Sequence, residues 1–297
     1  MEDLSRTCFF CNQEINEKKS LEHIIPNSLL GQMKIKEETL NGVYSSQYSK
    51  IKVPAHTKCN NEFGSRYEDH ILKLLNDPEG LFNDLNKTDM VGHAIFTPTD
   101  DSFGLISTWL GKIFYGLFYN DYLKTNDQDW KEVCYEVISS VNFKIIQNAY
   151  EKEYGFSLPS SLYVFQTESD DFDLLTRLHP YTLLLKIKNL VFIICLEDGF
   201  LTKSYMGDEG VESLRDTLKK LAIEHPKAPV HHVALCEIMA LRLSIPKTPK
   251  FVSSNNQIMN MSFMTAVANS DKKYALDQKL YHENRKYVLS EHGIRFD

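Results

Sequence analysis

The sequence predicts an α+β protein with a small metal-stapled region first and a larger mixed region after it. Two pairs of potential metal ligands lie in the first 60 residues, at Cys8-x-x-Cys11 and His56-x-x-Cys59. Beyond residue 85, segments with helical periodicity alternate with runs rich in aromatic and β-branched residues. The 297 residues, 42% of them hydrophobic, suffice for one large or two ordinary domains. We therefore expect two domains, residues 1–85 and residues 86–297.

Charge and composition limit the possible partners. The formal net charge is −7, so the chain is not a basic protein that coats nucleic acid, and a polyanion would need a local site. The opening residues, MEDLSRTC, lack the pattern of a signal peptide, so we expect a cytoplasmic protein. The apolar stretch at residues 103–123 contains Lys112 and has apolar positions three and four apart. This spacing predicts a buried amphipathic helix rather than a membrane span, and we expect no membrane partner.

Local patterns predict the elements in order. A helical pattern begins near Asn60 and stops at Asp77 and Pro78. In the larger region, residues 130–154 read as helix and residues 161–167 as strand. Two further strands, 181–188 and 190–198, are expected to form a hairpin that turns near Lys188 and Asn189. Helices are then predicted at 209–225 with Asp208 as N-cap, at 230–243, and in the tail from 260 onward.

The six cysteines fall into two groups. Cys134, Cys195 and Cys236 each lie alone in an apolar run, where cysteine behaves as a small hydrophobic residue, so we predict that all three are core. A disulfide framework is not expected in a reducing cytosol.

The remaining cysteines predict a structural zinc site. Cys8, Cys11, His56 and Cys59 form two chelating pairs and together supply the four ligands of a closed tetrahedral Zn²⁺ site. A metal that ties residues 8–11 to residues 56–59 would close the long loop between them. Such closure would stabilise a region that has few large apolar runs.

A second constellation lies between and just after these pairs. Glu22 and His23 precede two isoleucines and Pro26, and Asn60 follows the last cysteine. Side chains alternate along a strand, so Glu22 and His23 should face opposite sides. Carboxylate and amide oxygens suit Mg²⁺ or Mn²⁺, and a neutral imidazole can take a proton from a water that attacks phosphorus. These groups are the parts of a metal-dependent phosphodiesterase.

The combined order of motifs resembles the zinc-containing HNH endonucleases, also called His-Me finger or ββα-metal nucleases. The similarity covers residues 8 to about 76 and is carried by Cys8-x-x-Cys11, Glu22-His23-Ile24-Ile25-Pro26, Leu30-Gly31, His56-x-x-Cys59-Asn60-Asn61, Phe63-Gly64 and Glu68. The resemblance implies a β-hairpin packed on a helix with a catalytic metal between them. It also implies that His23 is the general base and that Asn60 is a metal ligand opening the helix. Glu22 stands where many members have aspartate.

The chain departs from the family pattern at two points. His56 replaces the more usual third cysteine, which zinc tolerates. The asparagine that orients the base in many relatives should fall near Ile51, and none is there. A backbone carbonyl could orient His23 instead, and Glu68 is either a support for the site or part of a solvated helix face.

DNA is the expected substrate, and its contacts must be local. Residues 1–76 carry ten Lys and Arg against ten Asp and Glu. The candidate phosphate-binding residues around the motif are Lys34, Lys36, Lys50, Lys52, Lys58 and Arg66.

These patterns leave several functions open. We expect a DNA endonuclease that serves as the effector of a prokaryotic antiviral defence system. The alternatives are a restriction or mobile-element HNH nuclease, and a non-catalytic zinc-stapled module that binds nucleic acid or protein. The acidic second domain has no basic recognition helix, so we expect it to sense a regulatory protein or nucleotide signal, or to self-associate.

Overall fold

The computed structural model of the protein describes most of the chain. It covers residues 3–40, 46–87, 94–95, 102–151, 157–158, 160–196, 228–244, 252–254, 257–259 and 278–293, with isolated positions between 216 and 226. These ranges mix helices with antiparallel strand pairs, which confirms the α+β class.

The chain forms two compact units. The first contains Met1–Asp84, Ala94–Leu158 and Phe251–Met259, and the second contains Leu85–His93, Pro159–Lys250 and Asn260–Asp297. The predicted boundary near residue 85 falls at the end of the first segment of unit 1. Unit 1 nevertheless takes in residues 94–158 as well, because helices from that stretch pack on the N-terminal segment.

Helices and short strands build the first half of the chain. The helices are α1 (Asn27–Met33), α2 (Thr57–Phe63), α3 (Asp69–Leu75), α4 (Pro78–Lys87), α5 (Ser102–Lys124), α6 (Gln128–Ile138) and α7 (Val141–Glu151). The strands are β1 (Ser20–His23), β2 (Thr39–Leu40), β3 (Ser46–Gln47), β4 (Lys52–Ala55), β5 (Ala94–Ile95) and β6 (Ser157–Leu158). Strands β1 and β4, β2 and β3, and β5 and β6 pair antiparallel.

A strand–strand–helix arrangement carries the Glu22-His23 motif. Strand β1 pairs with β4 so that His23 lies opposite Lys52 and Glu22 opposite Val53. Helix α2 follows β4 after the single residue His56. The helix predicted from Asn60 begins earlier, at Thr57, and continues through the π-helical segment Gly64–Glu68 into α3.

Helix α5 is the central element of unit 1. The prediction of a buried helix at residues 103–123 is confirmed. The prediction that this helix is amphipathic is wrong, because nearly every face of it is buried. The helix packs against α3, α6, α7 and β4. Gly116 permits a close approach, since an added Cβ would lie 2.1 Å from Cδ1 of Ile24. Within the described ranges, no helix is both long enough and apolar enough to span a bilayer.

The helix predicted over residues 130–154 is two helices. Helix α6 ends with Ser139 as its C-cap, and α7 begins at Val141. The hydroxyl of Ser140 accepts a hydrogen bond from the amide of Phe143 at 3.3 Å. Serine at this position satisfies a free N–H of the new helix, so a second helix starts where the periodicity alone predicted continuation.

Unit 2 is built on one long hairpin. Strands β7 (Ser161–Leu178) and β8 (Tyr181–Cys195) pair antiparallel, and the turn contains the cis peptide bond His179-Pro180. The predicted hairpin turn at Lys188 and Asn189 is wrong, because this sequence lies inside the single strand β8. Lys188 adopts a positive φ of 54° opposite the register shift between Gln166 and Asp171. The turn-forming residues therefore accommodate a β-bulge.

Two helices cover this hairpin. Helix α8 (Val230–Ser244) packs on β8, and α9 (Gln278–Glu291) packs on α8. The predicted helix at 230–243 is confirmed, and Cys134, Cys195 and Cys236 are all buried as predicted. The predicted helix at 209–225 and the tail segment 260–277 lie largely or wholly outside the described residues. Strands β9 (Val252–Ser254) and β10 (Gln257–Met259) form a separate pair.

Candidate functional site

The four predicted zinc ligands come together in unit 1. The ligand atoms of Cys8, Cys11, His56 and Cys59 all lie within 4.8 Å of one another. Nδ1 of His56 is 3.3 Å from Sγ of Cys11 and 3.9 Å from Sγ of Cys59. Three thiols and one imidazole are soft or borderline donors, and four of them make a closed tetrahedral set. The cluster could therefore hold a metal such as zinc.

Backbone geometry presents the first ligand pair. Thr7 and Glu14 form an isolated antiparallel bridge. Inside it, the amide of Asn12 donates to the carbonyl of Cys8 at 2.9 Å, and Asn12 has a positive φ of 56°. Asparagine tolerates this left-handed conformation, and the tight turn directs Cys8 and Cys11 toward the same point.

Hydrogen bonds orient the ring of His56 and lower the pKa of Cys8. Nε2 of His56 lies 3.2 Å from the carbonyl oxygen of Glu14, to which it donates when protonated, leaving Nδ1 free as a ligand. The backbone amide of His56 donates to Sγ of Cys8 at 3.3 Å. The hydrogen bond from the Cys11 thiol, followed by that amide, lowers the pKa of Cys8 to about 5, although burial acts in the opposite direction. A thiolate is the form that binds metal.

The predicted metal ligand Glu22 takes part in a buried ionic cluster. The fully buried ammonium of Lys112, on α5, contacts Oε1 of Glu22, lies 2.5 Å from Oε1 of Glu68, and donates to the carbonyl of His23 at 2.8 Å. The same ammonium lies 5.0 Å from the ring centroid of Phe63. Glu68 thus lies on a buried rather than a solvated helix face.

Opposing effects set the charges in this cluster. Burial would lower the pKa of Lys112, but the carboxylates of Glu68 and Glu22 raise it above its ordinary value. Burial raises the pKa of Glu68, while Lys112 lowers it and Glu22 raises it. One ammonium therefore serves two carboxylates in a nearly dry site, and the charge of each of the three groups depends on the other two.

His23 occupies the opposite face of β1 from Glu22, as strand alternation predicts. Its side chain is partly buried, and burial, followed by the charges of Lys52 and Lys112, lowers its pKa below the ordinary value of 6.5. An imidazole with a lowered pKa is neutral at physiological pH and can accept a proton. Within the described part of the chain, no group forms a hydrogen bond with the ring, so no orienting residue is assigned.

Asn60 lies in α2 rather than at its start. His56 is the N-cap residue of this helix, and Asn60 is the fourth residue within it. Nδ2 of Asn60 donates to Oγ of Ser20 at 2.8 Å. Since Ser20 and Glu22 share a face of β1, this bond points the amide toward the side of the strand that carries Glu22.

The candidate phosphate-binding residues differ in their exposure and in their partners. Lys36 and Lys52 lie near enough to His23 to affect its pKa. Lys34 and Lys50 are exposed, and Lys58 forms an exposed ion pair with Glu62. Arg66 donates to the carbonyl of Tyr150 at 3.5 Å.

Sequence reasoning missed two groups of polar residues. Lys112 was placed in a buried helix without a role, although a lysine amid apolar residues was the available signal. The second group contains Asp173, His231 and His232 in unit 2, whose potential ligand atoms also lie within 4.8 Å of one another. Adjacent histidines at a helix start were the only visible sign of this cluster.

Comparisons with known proteins add no information on function. No protein-family model matches the chain, no curated protein matches it, and no solved structure matches it.

We predict that Cys59→Ala lowers the metal bound after equilibration with Zn²⁺ by one ion per chain. It should also lower the thermal midpoint, because the ion no longer links the two ends of the long loop. Metal analysis and thermal unfolding measure the two effects. Cys134→Ala removes a buried thiol outside the cluster, so it should keep the metal. Equal metal contents in Cys59→Ala and wild type would show that the cluster does not bind metal.

We predict that Lys112→Met destabilises the protein by about 3–5 kcal/mol, because two buried carboxylates lose their shared cation. Chemical denaturation followed by circular dichroism measures the loss. Lys73→Met removes an exposed lysine from α3 and should change stability by less than about 0.5 kcal/mol. If both variants unfold at the same denaturant concentration, the ion cluster contributes nothing to stability.

Proposed function

We propose that the protein is a metal-dependent endonuclease that hydrolyses DNA phosphodiester bonds with His23 as general base. One observation carries the proposal. The neutral, partly buried imidazole of His23 lies on the strand whose other face carries Glu22, next to Lys52 on the paired strand. A base, a carboxylate and nearby cations are the groups that this hydrolysis requires.

Zinc is proposed as the structural metal at Cys8, Cys11, His56 and Cys59. Four protein ligands leave no open position for substrate or water, which is the pattern of structural rather than catalytic zinc. The ion would join the turn at residues 8–11 to the start of α2.

The chain's own residues divide the chemistry between them. His23 accepts a proton from the water that attacks phosphorus, which needs the neutral imidazole that burial favours. Lys36 and Lys52, whose charges act on His23, are placed to attract the phosphates flanking the scissile bond. The remaining candidates for phosphate contact are Lys34, Lys50, Lys58 and Arg66.

Glu22 and Asn60 are proposed to hold the catalytic Mg²⁺ or Mn²⁺. Lys112 contacts Oε1 of Glu22, and Ser20 accepts a hydrogen bond from Nδ2 of Asn60. Within the described residues, neither Oε2 of Glu22 nor Oδ1 of Asn60 has a hydrogen-bond partner, so each offers one hard oxygen to a cation. When bound, the ion would stabilise the negative charge that develops on the phosphate oxygens.

A second candidate function is a non-catalytic zinc-stapled binding module. The buried ion pair between Lys112 and Glu22 favours it, because a structural role already accounts for this glutamate. Such a module would have no need of a proton acceptor at His23. A role in antiviral defence stays a prediction from the sequence.

We predict that His23→Ala lowers DNA cleavage by at least about a hundredfold, the usual scale for a lost general base. Nicking of supercoiled plasmid in Mg²⁺ measures the rate. The variant should keep the wild-type metal content and melting temperature, because His23 is partly exposed and its ring has no hydrogen-bond partner among the described residues.

The control for this experiment is His70→Ala, which removes another partly buried histidine of unit 1. It should cleave at the wild-type rate. Absence of Mg²⁺- or Mn²⁺-dependent cleavage by the wild-type protein, with DNA binding retained, would support the binding module and overturn the nuclease.

We predict that Asn60→Ala reduces cleavage most at low Mg²⁺ and recovers in part as Mg²⁺ or Mn²⁺ is raised, since water can replace the lost ligand at a cost in affinity. Rates measured across a metal titration test this. Asn61→Ala, at the neighbouring exposed position, is the matched control. Loss of a phosphate contact would instead weaken DNA binding at every metal concentration and reduce its salt dependence. An unchanged metal dependence would remove Asn60 from the proposed ligands.

A further inference from the structure

A second cluster of metal-ligand type lies within unit 2. Asp173 comes from β7, and His231 and His232 are the second and third residues of α8. Nε2 of His231 is 3.0 Å from Oδ2 of Asp173, and Nε2 of His232 is 2.5 Å from the same oxygen. Successive residues on a helix point about 100° apart. Convergence of both rings on one carboxylate oxygen therefore needs a specific arrangement of the helix start against the strand.

The surroundings hold the carboxylate in place. Oδ1 of Asp173 accepts a hydrogen bond from the amide of Leu174 at 2.8 Å, which directs Oδ2 toward the two rings. Lys186 lies opposite Asp173 in the strand pair, but its ammonium contacts Asp171 and the carbonyl of Ser169 instead. Asp173 is therefore not neutralised by the lysine across the ladder. Hydrogen bonds from His231 and His232 lower its pKa, against the effect of burial.

The histidines are held by a well-packed helix. The residues that follow them, including Val233, Leu235 and Cys236, are buried in the core between α8 and β8. His231 is itself buried, while the side chains of His232 and Asp173 remain between a quarter and a third exposed. The cluster is thus fixed from the core side and open to solvent on the other, which gives an ion a route of entry.

We propose that Asp173, His231 and His232 form a second divalent metal site, which takes Zn²⁺ or a similar first-row transition ion. The two imidazole nitrogens are borderline donors and the carboxylate oxygen is a hard one, a mixed set that zinc accepts and that differs from the thiolate-rich set at Cys8 and Cys11. Three protein ligands leave a coordination position open for water or a small ligand. This site does not depend on the proposed nuclease function.

The distances fit an ion after a small adjustment. Ligands about 2.0–2.2 Å from a tetrahedral zinc are about 3.3–3.5 Å apart. The two nitrogen–oxygen distances of 3.0 and 2.5 Å are shorter than this. Small rotations of the partly exposed carboxylate and of the His232 ring, which move their ligand atoms by less than about 1 Å, would open the cluster around an ion.

The competing interpretation is a cluster held by hydrogen bonds alone. Both rings would then carry a proton on Nε2 and donate to the same oxygen. An ion bound to Nε2 of each ring would require the neutral tautomer that carries its proton on Nδ1, so metal binding and this hydrogen-bonded form exclude each other. The experiment therefore has to count ions and assign them to one cluster or the other.

The test is equilibrium dialysis of the full chain against Zn²⁺, followed by metal analysis. Wild type should bind two ions per chain, while Asp173→Asn and Cys59→Ala should each bind one and the double variant none. His282→Gln removes an exposed histidine of α9 and should still bind two. Cobalt substitution assigns the ions, because only the cysteine site gives thiolate-to-cobalt charge-transfer absorption. That absorption should persist in Asp173→Asn and disappear in Cys59→Ala.

Equal zinc contents in wild type and Asp173→Asn would overturn the proposal. If Asp173→Asn does not fold, His232→Gln replaces it, since this ring is partly exposed and its loss disturbs the core least. Anomalous diffraction at the zinc edge from crystals of the wild-type protein gives a separate measurement. A peak among Asp173, His231 and His232 supports the site, and its absence at saturating Zn²⁺ refutes it.

Discussion

The buried ammonium of Lys112 is the contact on which the arrangement of unit 1 depends. It joins α5 to Glu22 and to the carbonyl of His23 on β1, and to Glu68 at the end of the π-helical segment. The cost of burying these charges is high unless all partners are present. The N-terminal strand–strand–helix arrangement is therefore completed by a helix that lies far along the chain.

The metal cluster and the ion cluster stabilise the same small region in different ways. The four ligands at Cys8, Cys11, His56 and Cys59 bring its two ends together. Lys112 holds the last two residues of β1, Glu22 and His23, from the core side. His23 lies on the remaining side of the strand, and neither cluster uses its imidazole. The contacts of Lys112 with Glu22 and with the carbonyl of His23 restrict the backbone that carries this imidazole, as the proposed role of His23 would require.

Unit 2 contains the other cluster of potential metal ligands, together with buried charged groups that form ion pairs. Buried Glu237 bonds to Arg285 between α8 and α9, and the ammonium of Lys186 is satisfied by Asp171 and nearby carbonyls. The buried charges of Glu237 and Lys186 thus each have an oppositely charged partner, as buried charges require. The Asp173 cluster differs because it combines two histidines with one carboxylate and stays open to solvent. This difference makes it a candidate for binding rather than for packing.

The sequence by itself determined what short-range chemistry decides. Paired spacing predicted the four-residue cluster, and apolar periodicity predicted α5 and α8. Tertiary structure decided the contacts between residues that are distant in the chain. Lys112 meets Glu22 across 90 positions, and Asp173 meets His231 across 58. Likewise, Lys188 and Asn189 lie inside β8, opposite a bulge in β7, rather than in a turn, because β7 is long enough to pair with β8 on both sides of them. Local propensity takes no account of pairing with a distant strand, so it predicted a turn at Lys188 and Asn189 where β8 continues.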